Sequence, residues 1–260
     1  MISDERLSKL QEYKYPPVPS NCLGLEFEFI SQIGLTDFCE LVSNSPIEKF
    51  SQVKKDGSLR PTMNYPYGLE LVCCISEKKY ITFIPEIIQT IKQAKSTVNK
   101  SCGFHVHIDM RNRDYKSVYN NFYRCQAVLF AMNPMNRFEG NGVGDGGGFA
   151  KKSKYNTTRD AMLAESMPNM KARYKGINIA SVGRHNTLEI RIHSGTLNFE
   201  KVNNWLQIIL AIANYDDLIL HNIISPYVFC ACFGLDDEMF QYIDKRINRF
   251  CNQKMIEEEE

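Results

Sequence analysis

Residues 23–29 read LGLEFEF, and this short stretch determines much of the fold that can be expected. Successive side chains of an extended strand point to opposite faces, so the apolar residues share one face while Glu26 and Glu28 share the other. The stretch therefore predicts a strand over residues 22–30. Two carboxylates this close repel each other in a cleft unless a cation lies between them. The alternative is a half-exposed strand whose outer face carries two Glu.

Three further stretches, YGLELVCCIS, GFHVHIDM and TLEIRIH, show the same alternation. Their ligand-type side chains are Glu70, His105, His107, Glu189, Arg191 and His193. Each pattern alone is also typical of the solvent-facing side of a sheet. Together the four strands offer Glu and His with almost no Lys, and such a face needs bound cations. Carboxylate oxygens with an imidazole suit magnesium or manganese.

Strands and helices alternate along the whole chain, and the connections between many strands are too short for parallel crossovers. The sequence therefore predicts an α+β fold in one domain, residues 1–260. In this fold a mainly antiparallel sheet carries helices on one side and the acidic and His residues on the other. Residues 176–182 and 187–195 are expected to form a strand pair across a turn at 183–186. Helices are predicted over residues 35–44 with Thr36 as N-cap, 82–99, 114–133 with Asp114 as N-cap, 200–222 and 238–252.

The composition excludes several classes of protein. The 260 residues carry a net charge of +1, so no global field favours nucleic acid or a membrane surface. The chain has no apolar run long enough to span a bilayer, and its N-terminus is too polar for a signal peptide. The nine cysteines contain no C-x-x-C pair, which indicates small buried hydrophobes in a reducing compartment. A cytoplasmic location is expected.

Two segments are expected to lie outside the regular structure. Residues 135–170 are polar and rich in Gly, and they end in no G-K-[ST] motif, so a P-loop is not expected. This loop is either a flexible lid that a ligand orders or an insertion without order. The acidic tail, residues 256–260, is expected to be disordered.

The order of the motifs resembles the amidoligase family, relatives of glutamine synthetase and glutamate-cysteine ligase. The motifs are GLEFEF, DGSL, GLELV, CGFHVHID, RYKGIN and NTLEIRIHSGTLN, over roughly residues 23–205. This resemblance implies a sheet that forms an open funnel with helices on its outer face, as in the catalytic domain of glutamine synthetase. It also implies ATP-dependent joining of a carboxylate to an amine.

The resemblance further implies roles for individual side chains. It implies that magnesium ions, or manganese in their place, are held by Glu26, Glu28, Glu70, His105 and Glu189. It places His107 and Arg191 near the nucleotide phosphates, with Arg173 close by, and it assigns Arg191 and Arg173 to catalysis as well. The substrates would be a small-molecule or peptide carboxylate and an amine. Related synthetases often assemble, so a homo-oligomer is an expectation.

The chemistry accounts for such a site without the family. A carboxylate must first be phosphorylated before an amine can attack it, and the moving phosphoryl group needs metals and a fixed Arg to stabilise its charge. Asp56 could accept the proton of the incoming ammonium, or it could belong to a plain Asp-Gly turn. Two other functions remain open. The same acids and His could activate water in a metal-dependent hydrolase or phosphodiesterase, or the sheet could be a binding surface without catalysis.

Overall fold

A computed structural model describes residues 21–134 and 175–257, which divide into two compact units. The first unit contains the described residues up to Asp109 together with Ser194–Asn203, and the second contains Met110–His193 and the chain from Asn204 onwards. The predicted lid, residues 135–170, and Arg173 lie outside the described residues. The interpretation of residues 1–260 as a single domain stays a prediction.

The first unit is built on an open antiparallel sheet, which confirms the α+β class at this level. Its strands are β1 (Cys22–Ser31), β2 (Ser51–Lys55), β3 (Tyr67–Ser76), β4 (Ser96–Thr97) and β5 (Phe104–Asp109). The strand order is β2-β3-β1-β5, and β4 pairs with the end of β1. The LGLEFEF stretch therefore forms the inner strand of this unit, with β3 on one side and β5 on the other.

The register of β1 determines which polar residues meet. Glu28 lies directly opposite Glu70 of β3, and Glu26 lies opposite His105 of β5. Directly opposite residues of an antiparallel pair point to the same face. The predicted alternation is confirmed, because the acids and the two histidines of these strands share one face of the sheet.

The other face of this sheet carries the core of the first unit. Phe27 packs on Phe104 with ring centroids 4.6 Å apart, and Phe29 packs edge-on against Phe38 at 5.1 Å. Phe38 belongs to α1 (Leu35–Ser43), which is followed along the chain by the 3-10 turn Glu48–Phe50. Helix α1 thus lies on the face opposite the acids, as predicted. The prediction of Thr36 as its N-cap was wrong, because the helix begins at Leu35 with Gly34 at the cap position.

The second helix of this unit, α2 (Tyr80–Gln93), ends earlier than the predicted helix over residues 82–99. Lys95 has a φ of 49°, a left-handed conformation that stops the helix. The next residues turn back to the sheet, where Thr97 lies opposite Ile30. Pairing with β1 therefore overrides the helical periodicity of this segment.

The second unit is mainly helical. Its elements are α3 (Tyr115–Ala131), β6 (Ile177–Asn178), α4 (Ala180–His185), β7 (Thr187–Ile190), α5 (Phe199–Ala213, which begins in the first unit), α6 (Pro226–Phe233) and α7 (Asp237–Glu257). The predicted cap of α3 is confirmed, because the Asp114 carboxylate accepts a hydrogen bond from the Lys116 amide. Helix α7 extends to Glu257, and residues 258–260 lie outside the described residues.

Two sequence predictions for this unit need correction. The strand pair forms, with Asn178 opposite Glu189, but the short helix α4 connects its strands instead of a simple turn. The helix predicted to reach residue 222 ends at Ala213. Buried Asn121 of α3 accepts a hydrogen bond from the Ile219 amide and donates one to the Asp217 carbonyl. These bonds hold the chain after α5 in an irregular path.

The nine cysteines form no disulfide, and most of them are buried, as predicted. Among the described residues there is no helix with the length and apolar character that a membrane crossing needs.

Candidate active site

Glu26 lies between the two imidazoles that β5 presents. One carboxylate oxygen, Oε2, is 3.0 Å from His105 Nδ1, and the other, Oε1, is 3.1 Å from His107 Nε2. All three residues are at most 7% exposed. An ionised carboxylate only accepts hydrogen bonds, so each histidine donates from the ring nitrogen that faces Glu26.

Gly24 makes the His107 contact with Glu26 geometrically feasible. It lies opposite His107 in the β1–β5 pair, and a Cβ at Gly24 would lie 3.0 Å from His107 Cβ. A larger residue would push the imidazole away from its position over β1. The close packing of His107 thus explains why a glycine occupies this position of LGLEFEF.

The surroundings of Glu26 favour its charged form. Burial raises the pKa of this carboxyl, but the charge of His107 and the hydrogen bonds from His105 and His107 outweigh burial and hold the pKa well below its ordinary range. Glu26 is thus a buried carboxylate whose charged form is stabilised within the protein by the two imidazoles.

Glu28 is held by the chain segment before β5. Its Oε2 accepts a hydrogen bond of 2.5 Å from the Gly103 amide, and its own amide donates to the Gly103 carbonyl at 3.2 Å. Gly195 lies against the neighbouring Cys102, where a Cβ at Gly195 would come within 2.6 Å of Cys102 Cβ. The Gly195 amide also donates to the Cys102 carbonyl. The glycine of the HSG motif therefore supports the segment that orients Glu28.

A second acidic group lies beside this one. Oxygen atoms of Glu28, Asp56 and Glu70 all lie within 4.8 Å of one another. Asp56 is fixed by its turn, because its Oδ1 accepts from the Ser58 amide at 2.8 Å. Its own amide donates to the Gly68 carbonyl at 3.1 Å. Asp56 is thus an ordered turn residue and also a member of the acidic group.

Lys54 accompanies this acidic group. It lies opposite Glu70 in the β2–β3 pair, and its Nζ is 2.6 Å from Glu70 Oε1. Burial and the charge of Glu26 raise the pKa of Glu70 well above its ordinary range, and Lys54 only partly opposes them. The expectation of a face with almost no Lys therefore has an exception beside the Glu28, Asp56 and Glu70 group.

Glu189 and Arg191 form an ion pair within the second unit. Arg191 Nη1 donates to Glu189 Oε1, and Asn178 Nδ2 donates to Glu189 Oε2 at 2.6 Å. The Arg191 amide donates to the Gly176 carbonyl at 2.8 Å, so the strand-like pairing continues one residue beyond β7. His193, which follows on the same strand pattern, packs against Trp205 with ring centroids 5.0 Å apart.

The burial of these side chains rules out the interpretation of a solvent-facing sheet surface. Glu26, Glu28, Glu70, His105 and Glu189 are each between 1% and 7% exposed. A buried set of carboxylates is costly unless cations or hydrogen-bond donors compensate it. Hard carboxylate oxygens are the donors that Mg²⁺ and Mn²⁺ prefer, so the Glu28, Asp56 and Glu70 group fits such an ion.

The sequence of the chain matches one known family. Residues 43–132 and 150–213 match the family described as "Putative amidoligase enzyme". The match covers more than half of the chain, and the chain belongs to this family. None of the curated proteins matches it.

The matched ranges contain β2, β3, β5 and β7, whereas β1 with Glu26 and Glu28 precedes them. The structure nevertheless pairs β1 directly with β3 and β5. The family match does not include Glu26 and Glu28. In the sheet, however, each of them lies directly opposite a residue that the match includes.

Sequence reasoning missed several residues that shape the site. Lys54 was missed because one strand alone does not show which of two consecutive lysines points to the acids. Gly103 acts through its backbone amide, which the pattern of side chains cannot show. Asn178 ends the RYKGIN motif, in the segment that was predicted to pair with the TLEIRIH strand. That predicted pairing was the available signal that Asn178 lies close to Glu189.

Proposed function

We propose that the chain is an ATP-dependent ligase that joins a carboxylate to an amine through an acyl-phosphate intermediate. The observation that carries this proposal is the buried face of Glu26, Glu28, Glu70 and His105 in a member of the amidoligase family. Amide formation from a free acid needs an activated acyl group, and an acyl phosphate made from ATP is such a group. A buried acidic face can hold metal ions, and those ions would stabilise the charge that develops on phosphate oxygens.

The proposed cofactors are ATP and Mg²⁺, for which Mn²⁺ could substitute. The residues that would hold the metal are Glu26, Glu28, Glu70, His105 and Glu189. Bound metal would neutralise charge on the phosphate oxygens. The protein's own part is to keep these acids in place, which Gly103 does for Glu28 and Asn178 does for Glu189.

The proposed phosphate-binding residues are His107, Arg191 and Arg173. Arg191 has a planar guanidinium that can contact two oxygens at once, and Glu189 orients it. Asp56 is proposed to take the proton of the incoming ammonium, so that the neutral amine can attack the acyl phosphate and expel inorganic phosphate. Its carboxylate keeps a defined position because the Ser58 amide donates to it.

The proposal extends to the wider properties of the protein. It includes an open-funnel sheet of the glutamine synthetase type, small-molecule or peptide substrates, a cytoplasmic location and assembly into a homo-oligomer. The helix α1 behind the sheet and the acids in front of it support the funnel, because they separate a packed face from a polar one.

The experiment that tests the proposal measures ADP release and product mass together. The full-length protein is incubated with ATP, Mg²⁺ and a pool of amino acids, peptides and amines. A ligase gives ADP, phosphate and a new mass equal to acid plus amine minus water. Release of ADP without any new product, hydrolysis of a phosphodiester without ATP, or no turnover at all would contradict it.

A further inference from the structure

Lys54 occupies an unusual place for a lysine on this sheet. It lies on β2, the strand at the end of the first unit's sheet order, and it points to the same face as Glu70. Its ammonium nitrogen is 2.6 Å from Glu70 Oε1. The next residue along the strand, Lys55, lies opposite Leu69 and points to the other face, where it is exposed.

The charges around Lys54 explain this contact. Glu28, Asp56 and Glu70 bring three carboxyl groups within 4.8 Å of one another. Like charges at this distance raise the energy of the folded state unless a positive charge lies nearby. Lys54 brings a positive charge to Glu70, at the position where a cation would otherwise be needed.

The two side chains of this ion pair differ in their exposure to solvent. The Lys54 side chain is 34% exposed, whereas the Glu70 side chain is 8% exposed. A lysine has a long flexible stem and a strongly hydrated ammonium, so it can turn to solvent at small cost. Glu70 lies on β3, a strand that is paired on both sides, with β2 and with β1.

We propose that Lys54 is the internal counter-ion of the Glu28, Asp56 and Glu70 group, and that a divalent cation binds there by displacing its ammonium from Glu70. The inference rests on the metal requirement of the proposed function. Lys54 is then a positioning residue that holds the acids in the metal-free protein and competes with the metal for Glu70 Oε1. It would set the concentration of cation at which the site fills.

The test is a titration of the full-length protein with Mn²⁺, in which electron paramagnetic resonance measures the free ion. Lys54→Met removes the charge and keeps much of the side-chain volume. Lys54 contacts Glu70 only in the metal-free protein, so this variant destabilises the metal-free state and leaves the metal-bound state unchanged. Lys54→Met should therefore bind Mn²⁺ about tenfold more tightly than the parent. Lys55→Met is the matched control, and it should bind Mn²⁺ as the parent protein does.

A second measurement separates competition from a structural role. Without metal, Lys54→Met should unfold at a lower temperature than the parent, because three acids lose their counter-ion. With saturating Mn²⁺ this difference should disappear. Lys54→Arg keeps the charge and should bind Mn²⁺ no more tightly than the parent. In a Glu70→Gln background, Lys54→Met should no longer change Mn²⁺ affinity.

The outcomes are distinct. Equal Mn²⁺ affinity of the parent and Lys54→Met, or weaker binding by Lys54→Met, would overturn the role of Lys54 while leaving the metal site in place. If neither the parent nor any variant binds Mn²⁺, the metal requirement of the proposed function fails together with this inference.

Discussion

Glu26 and Glu70 share one face of neighbouring strands, but their surroundings act on them in opposite ways. Hydrogen bonds and charge from two histidines favour ionised Glu26, whereas burial and neighbouring acids disfavour ionised Glu70. For the metal-free protein, Glu26→Gln should lower the free energy of unfolding by about 1–3 kcal/mol, the cost of losing hydrogen bonds to a charged group. Glu70→Gln should leave that energy unchanged or raise it. Urea unfolding in the presence of a chelator measures both.

The pH dependence of this effect has a definite sign. The folded-state pKa of Glu26 is depressed, so its contribution to stability is present above the pKa of the unfolded chain, about 4.3. The difference in free energy of unfolding between the parent and Glu26→Gln should therefore shrink as the pH falls below that value. Equal losses for Glu26→Gln and Glu70→Gln at neutral pH would contradict the assigned environments.

The two histidines of β5 are expected to have different roles. His105 contacts Glu26, and its Nε2 lies 3.6 Å from Glu28 Oε1. We predict that His105 helps to bind the metal, whereas His107 helps to bind the nucleotide phosphates. His105→Ala should raise the Mg²⁺ concentration needed for half-maximal ATP turnover. His107→Ala should mainly weaken ATP binding. Titrations of turnover with Mg²⁺ and with ATP separate these effects, and the assignment fails if both variants change both titrations alike.

At the scale of elements, β7 and the residue that follows it place an acid and a guanidinium on one face. Glu189 and Arg191 are two residues apart, so they point to the same side and pair with each other. The fork of Arg191 can contact two phosphate oxygens, which the single ammonium of Lys cannot do. Arg191→Lys should therefore lower the rate of acyl-phosphate formation by roughly ten- to a thousandfold, with a smaller effect on ATP affinity.

Rapid-quench measurement of acyl phosphate at saturating ATP and Mg²⁺ tests the Arg191 prediction. If Arg191 only balances the charge of Glu189, Lys would keep most of the activity. A rate in the Lys variant close to that of the parent would therefore reject the catalytic role.

The elements also show how far the sequence determines the fold. The alternation in LGLEFEF and GFHVHIDM identified two strands and the shared faces of Glu26 with Glu28 and of His105 with His107, because period two is a local property of the chain. The end of α2 and strand β4 were not predictable in this way. Residues Ser96 and Thr97 leave the helical pattern because β1 offers a pairing edge, and that edge comes from a segment more than sixty residues earlier.

The candidate site was predictable to a similar degree. Residue type and parity singled out Glu26, Glu28, Glu70 and His105, since each alternates with apolar neighbours. The partner of each acid was not predictable, because register joins distant strands. The bonds from Gly103 to Glu28 and from Lys54 to Glu70 therefore came only from the structure.

At the scale of the whole molecule, cation binding should appear as thermal stability. A ligand that binds only the folded protein stabilises it by about 2.7 kcal/mol at a hundredfold excess over its dissociation constant. For a chain of this size that energy corresponds to a rise of roughly 5–10 °C in unfolding temperature. We expect Mg²⁺ or Mn²⁺ alone, without ATP, to produce such a rise when compared with chelated protein.

The control for this whole-molecule prediction is the variant with both Glu28→Gln and Glu70→Gln, which removes two of the three clustered acids. Its unfolding temperature should respond much less to either cation. An equal rise in this double variant would place the cation effect elsewhere on the protein.

The position of β1 has a practical consequence for work with fragments of this protein. A recombinant piece cut at the start of the family-matched range, residue 43, would lack β1. Strands β3 and β5 would then each expose a row of unpaired backbone amides and carbonyls, and such open edges recruit other chains into aggregates. Insolubility of that piece would reflect the missing strand and would say nothing about the chemistry of the complete sheet.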